Sequence, residues 1–80
     1  MNEYKIDYEL FSIDEIVKII SFFELMEDFN NRRINKQTII DKYNEYRNIL
    51  NNKSLEKQYD KMLQKKSNIS IYKIMKELQS

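Results

Sequence analysis

Eighty residues contain no glycine, proline, cysteine, histidine, tryptophan or alanine, and 14 basic against 13 acidic side chains leave a net charge of +1. This inventory excludes disulfides, thiolate and imidazole catalysis, Cys/His metal sites and glycine-rich phosphate loops. So short a chain buries only a small core, and its 41% hydrophobic content, with four Phe and six Tyr, has to form that core from packed helices.

Ile, Lys, Asn and Tyr supply 38 of the residues, all encoded by A/T-rich codons, whereas the missing Gly, Pro and Ala need G and C. A low-G+C bacterial genome is the simplest source of that bias, and turns are left to Asn, which tolerates the left-handed region. Charge is unevenly placed: residues 1–30 carry eight acids and two bases, a net −6, while residues 31–80 carry five acids and twelve bases, a net +7. The two parts should attract each other, or the basic part should offer a surface to an anionic partner. No apolar run approaches the roughly 18–20 residues that span a bilayer, and the basic-plus-apolar start of a signal peptide is missing. A cytoplasmic protein without membrane contact is expected.

Along the chain, Tyr4, Ile6, Tyr8 and Leu10 alternate with polar residues, a period of two that suits an extended arm over residues 1–11 lying on helices. Ser12 stands three residues before Glu15, the spacing of a capping box, with Phe11 placed to staple onto Ile16. The helix it opens, over 12–29, carries apolar residues round most of its circumference, with a wet strip at Asp14, Ser21, Glu24 and Asp28. Asn30 to Arg33 read as a turn and Asn35 as the cap of a second helix over 36–50, striped by Ile39, Ile40, Tyr43, Tyr46 and Leu50. Asn51-Asn52 precedes a third helix over 54–66 with Leu55, Tyr59, Met62 and Leu63. Ser67-Asn68 ends it, and Ser70 caps a fourth helix over 70–79 with Ile71, Ile74, Met75 and Leu78. Short connections favour antiparallel neighbours, so residues 1–80 are expected to form one all-α domain, a compact bundle of about four helices.

Several short patterns occur in a familiar order: Tyr4-x-Ile6-Asp7, Ser12-x-Asp14-Glu15-Ile16, Ile20-x-Phe22-Phe23 with Glu27, and Tyr43-x-x-Tyr46-Arg47-x-Ile49. Lys53-Ser54-x-Glu56-Lys57-Gln58 and Ser70-x-Tyr72-Lys73 complete the set. With them the chain resembles the YktA-like family of small uncharacterised proteins from low-G+C Gram-positive bacteria. That family usually has Gly near Arg33, Pro near Asn51 and Gly near Asn68, so this chain departs from it in the expected turns. The resemblance implies a small all-helical protein and transfers no catalytic residue.

Four constellations remain as candidate sites. Lys53, Lys57, Lys61 and Lys65 recur every four residues and form a winding ridge on the third helix; with Arg32 and Arg33 they make a candidate surface for phosphates or an acidic partner helix. The same residues also suit an ordinary solvated face. Phe22, Leu25 and Phe29 are the apolar surface of the first helix expected to be left over for self-association. Glu24, Glu27 and Asp28 lie close along one helix, but a straight helix cannot wrap a cation, so they read as a polar strip. Tyr43, Tyr46, Tyr59 and Tyr72 fall on or beside the apolar stripes, where partial burial with the hydroxyl reaching water is expected. No nucleophile stands at a telling spacing from a base. The expected function is therefore a non-enzymatic protein–protein interaction module without cofactor or metal, acting on a protein partner or as a homodimer; the alternative is a small nucleic-acid-associated protein using the lysine face.

Overall fold

Ser12 starts the first helix with a complete capping box: its Oγ accepts from the Glu15 amide at 3.2 Å and the Glu15 carboxylate accepts from the Ser12 amide at 2.9 Å. In the computed structural model, which describes residues 4–29, 31 and 33–79, that helix is α1, Ile13–Asp28. Asn35 caps α2, Lys36–Leu50, by accepting from the Gln37 amide at 2.8 Å. Asn52 caps α3, Lys53–Ser67, through the Leu55 amide at 3.1 Å, which moves the start one residue ahead of the expected Ser54. Ser70 accepts from the Lys73 amide at 3.3 Å at the head of α4, Ile71–Gln79. Each helix therefore begins at a Ser or Asn whose short side chain satisfies an otherwise orphaned amide.

Asn also ends helices. Asn51 and Asn68 take left-handed conformations, with φ of 46° and 57°, and their amides return to Arg47 and Gln64 carbonyls at 2.8 and 2.9 Å. In a chain without glycine these are the residues best able to occupy that region.

Consecutive helices pack against one another in the order α1, α2, α3, α4. The end of α1 meets the end of α3 through Glu27 and Ser67, so α1 and α3 run the same way with α2 reversed between them. The result is the expected all-α four-helix bundle, with a Cα radius of gyration of 11.9 Å, close to the ~12 Å of a compact chain this long. At its centre Phe22 stacks on Tyr46 at 4.5 Å between centroids. Phe23 meets Tyr4, Tyr46 and Tyr59 at 5.1, 5.6 and 5.7 Å. Ile19, Met26, Ile39 and Leu63 fill the space between the rings. No helix among the described residues is long and apolar enough to cross a membrane.

The described part of the arm, residues 4–11, packs through its beginning. Tyr4 and Ile6 are buried, the Lys5 amide donates to Met62 Sδ at 3.1 Å and the Asp7 amide to the Tyr59 hydroxyl at 3.4 Å. The period-two expectation fails after Ile6, since Tyr8 and Leu10 are 60% and 61% exposed. The reason is local: Asp7 accepts from the Glu9 amide on its side chain and from the Leu10 amide on its carbonyl, at 3.1 and 3.2 Å. That turn breaks the extended run.

Candidate functional site

The lysine ridge exists, but it winds. Lys53, Lys57, Lys61 and Lys65 are all exposed and on α3, and no carboxylate pairs with any of them among the described residues. Four residues exceed one helical turn by about 40°, so the direction of the side chains rotates by about 120° from the first lysine to the last, over roughly 18 Å of axis. Lys53 and Lys57 consequently border a cleft against α2 and α4, while Lys61 and Lys65 line a separate depression with Lys5 and Met62. Arg33 is exposed in the α1–α2 connection, at the Lys65 end of the bundle and far along the axis from Lys53. Arg32 lies outside the described residues.

The cleft has a volume of about 310 Å³ and joins three helices: Tyr43, Tyr46 and Arg47 from α2, Lys53, Glu56, Lys57 and Asp60 from α3, and Ile71 and Tyr72 from α4. Both of its carboxylates are engaged within the protein. Glu56 pairs with Arg47 Nε at 3.3 Å, and Asp60 accepts from the Ile71 amide at 2.8 Å. The Arg47 guanidinium also stands over the Tyr43 ring at 5.5 Å. Burial pushes the Tyr43 phenol up, with Arg47 partly opposing that shift.

Tyr46 departs from the expected pattern, because its hydroxyl does not reach water. The residue is 2% exposed, and its hydroxyl is buried with no hydrogen-bond partner among the described residues. Burial, then the nearby charges of Glu56 and Asp60, hold this phenol far above its ordinary range. An unsatisfied buried hydroxyl destabilises a fold by about 1–3 kcal/mol, so Tyr46→Phe, which keeps the ring stacked on Phe22, is expected to raise stability by about 1 kcal/mol. Urea unfolding followed by circular dichroism measures it, and a lower midpoint for the variant would contradict the assignment. The other rings divide: Tyr59 is buried, Tyr43 half-buried and Tyr72 66% exposed.

The expected self-association surface on α1 needs correction. Phe22 is 1% exposed and belongs to the core, because the stack on Tyr46 turns it inward; Leu25 and Phe29 are half-buried and packed against that core. The exposed apolar residues lie at the opposite end of α1, where Ile13 and Val17 are 80% and 56% exposed and follow the exposed Tyr8 and Leu10.

Glu27 is more than part of a polar strip. One carboxylate oxygen accepts from the Tyr4 hydroxyl at 2.5 Å, and the other accepts from Ser67 Oγ and from Lys66 Nζ, the latter at 3.4 Å. Lys66 also stands over the Tyr4 ring at 4.8 Å. Arm, α1 and α3 are tied at this point. Burial and the hydrogen bond to Glu27 raise the Tyr4 phenol well above its usual range. The exposed Ser12-to-Glu15 motif announces itself by spacing, but this node joins residues 40 positions apart and has no local signature. No group of three or more side chains suited to hold a metal ion occurs among the described residues.

The profile of UPF0223, an uncharacterised protein family, matches residues 2–80. The chain belongs to the UPF0223 family. It is 32% identical over 75 residues to a UPF0223 protein of Bacillus cytotoxicus, covering 94% of this chain and 83% of that one. A UPF0223 protein of Staphylococcus haemolyticus is 31% identical over 98% of this chain and 86% of its own, and the UPF0223 protein YfdD of Lactococcus lactis is 29% identical over 86% and 74%. These UPF0223 relatives come from low-G+C Gram-positive bacteria, the kind of genome indicated by the Ile, Lys, Asn and Tyr bias. No solved structure matches the chain.

Proposed function

We propose that this UPF0223 protein is a non-enzymatic protein–protein interaction module of the cytoplasm, and that YktA-like and UPF0223 describe one family. The observation that carries this reading is the solvent-facing pair Ile13 and Val17, 80% and 56% exposed and one turn apart on α1, continued by Leu10 at 61%. The bundle gains nothing from holding three aliphatic side chains in water, and exposed apolar patches of this kind mark contact surfaces. A partner, or a second copy of the chain, covers them. Replacing Ile13 and Val17 together by Asp is expected to leave the helical signal intact and to abolish the complex, read as a partner lost in affinity capture or as a dimer turned to monomer in light scattering. Complexes captured equally by both proteins would remove the surface from consideration.

The nucleic-acid alternative has less support. The row of lysines divides between two surfaces, so no single surface presents all four charges. A phosphate backbone following α3 would meet only part of the row at a time.

A further inference from the structure

We infer that the cleft between α2, α3 and α4 is a binding site for a small organic anion with a flat apolar body. Three features select that chemistry. The walls are rings and an aliphatic side chain, Tyr43, Tyr72 and Ile71, which suit a planar apolar body. The net charge of the lining is positive: Arg47, Lys53 and Lys57 outnumber Glu56 and Asp60, Glu56 is paired with Arg47, and Lys53 and Lys57 have no carboxylate partner among the described residues. The lining also includes a third ring, Tyr46, which adds to the apolar surface. At about 310 Å³ the space is at the small end of ligand pockets, enough for one or two fused rings bearing an acid group and too little for a larger cofactor.

The site is distinct from the Ile13–Val17 surface, which lies on α1, and the two inferences fail separately. The probe is naphthalene-2-sulfonate, followed by isothermal titration calorimetry on the full chain, with naphthalene-2-sulfonamide as a counterpart that has the same body and no charge. Binding of the sulfonate at one site per chain is expected. Lys53→Gln with Lys57→Gln should weaken it at least fivefold, while Lys61→Gln with Lys65→Gln, which removes the same charge from the same helix outside the cleft, should change it less than twofold. Neither pair should affect the neutral probe, and Tyr72→Ser should weaken both probes. All of these substitutions are at exposed positions, and circular dichroism checks that the variants remain helical. The inference is overturned by absence of sulfonate binding, by equal effects of the two lysine pairs, or by loss of binding when Ile13 and Val17 are changed to Ser.

Discussion

Phe23→Ala is expected to leave the bundle barely folded at 25 °C. Phe23 is fully buried, and its ring is the one that meets the arm at Tyr4, its helical neighbour Phe22, α2 at Tyr46 and α3 at Tyr59. Truncating such a ring costs about 3–5 kcal/mol, from lost burial and from the cavity left behind. A domain of 80 residues holds roughly 4–12 kcal/mol in total, at about 0.05–0.15 kcal/mol per residue. The loss therefore takes a large part of the whole. Urea unfolding followed by far-ultraviolet circular dichroism gives the test, with Val17→Ala as the comparison. Val17 is as apolar by type and on the same helix, yet it is 56% exposed, and its truncation should stay within about 0.5 kcal/mol of the parent. A Phe23→Ala midpoint close to the parent's would mean that the aromatic cluster is not the core of this fold.

The second large effect belongs to Glu27. Glu27→Ala removes the acceptor shared by Tyr4, Ser67 and Lys66 and should cost about 2–3 kcal/mol at pH 7, while Glu27→Gln, which keeps one acceptor oxygen, should cost about 1–2 kcal/mol. The loss should also depend on pH in a defined direction. Burial alone would raise the Glu27 carboxyl, but hydrogen bonds from Ser67, Tyr4 and Lys66, with the charge of Lys66, outweigh it and hold the group below 4.5. A carboxyl lowered on folding contributes stability that is fully present above its unfolded value of 4.5 and disappears as pH falls through the folded value. The gap between parent and Glu27→Gln should thus be constant near neutrality and close as the solution is acidified below 4.5. Urea titrations at stepped pH measure it, and a gap that persisted unchanged into acid would mean that the ionised carboxylate is not what ties the arm to α3.

Legibility in the sequence followed the range of the interaction. Ser12 with Glu15, Asn35 and Ser70 act on amides two or three residues away, so the type and spacing of residues reveal them directly. The third helix shows the limit of that reading. The pattern places its start at Ser54, but Asn52 caps it and Lys53 is its first residue, so the boundary moves by one residue. Phe22 shows a different limit. On a helix with apolar residues nearly all round, periodicity does not say which side faces the neighbours, and Phe22, expected at the surface, turned inward onto Tyr46 while Ile13 stayed exposed.

The amino-acid sequence by itself determined the fold class, the four helices and their capped ends, because helix initiation, termination and the apolar stripe all act within about one turn of the chain. It also determined which chemistries have no side chains to perform them. Only the tertiary structure decided that Glu27 gathers Tyr4, Lys66 and Ser67, that the lysine ridge divides between two surfaces, and that Tyr43, Tyr46 and Tyr72 meet Lys53 and Lys57 around one cleft. Each of these depends on the direction in which a side chain leaves its helix relative to a second helix. That direction is set when the helices pack, through contacts between residues far apart in sequence, and no local pattern encodes it.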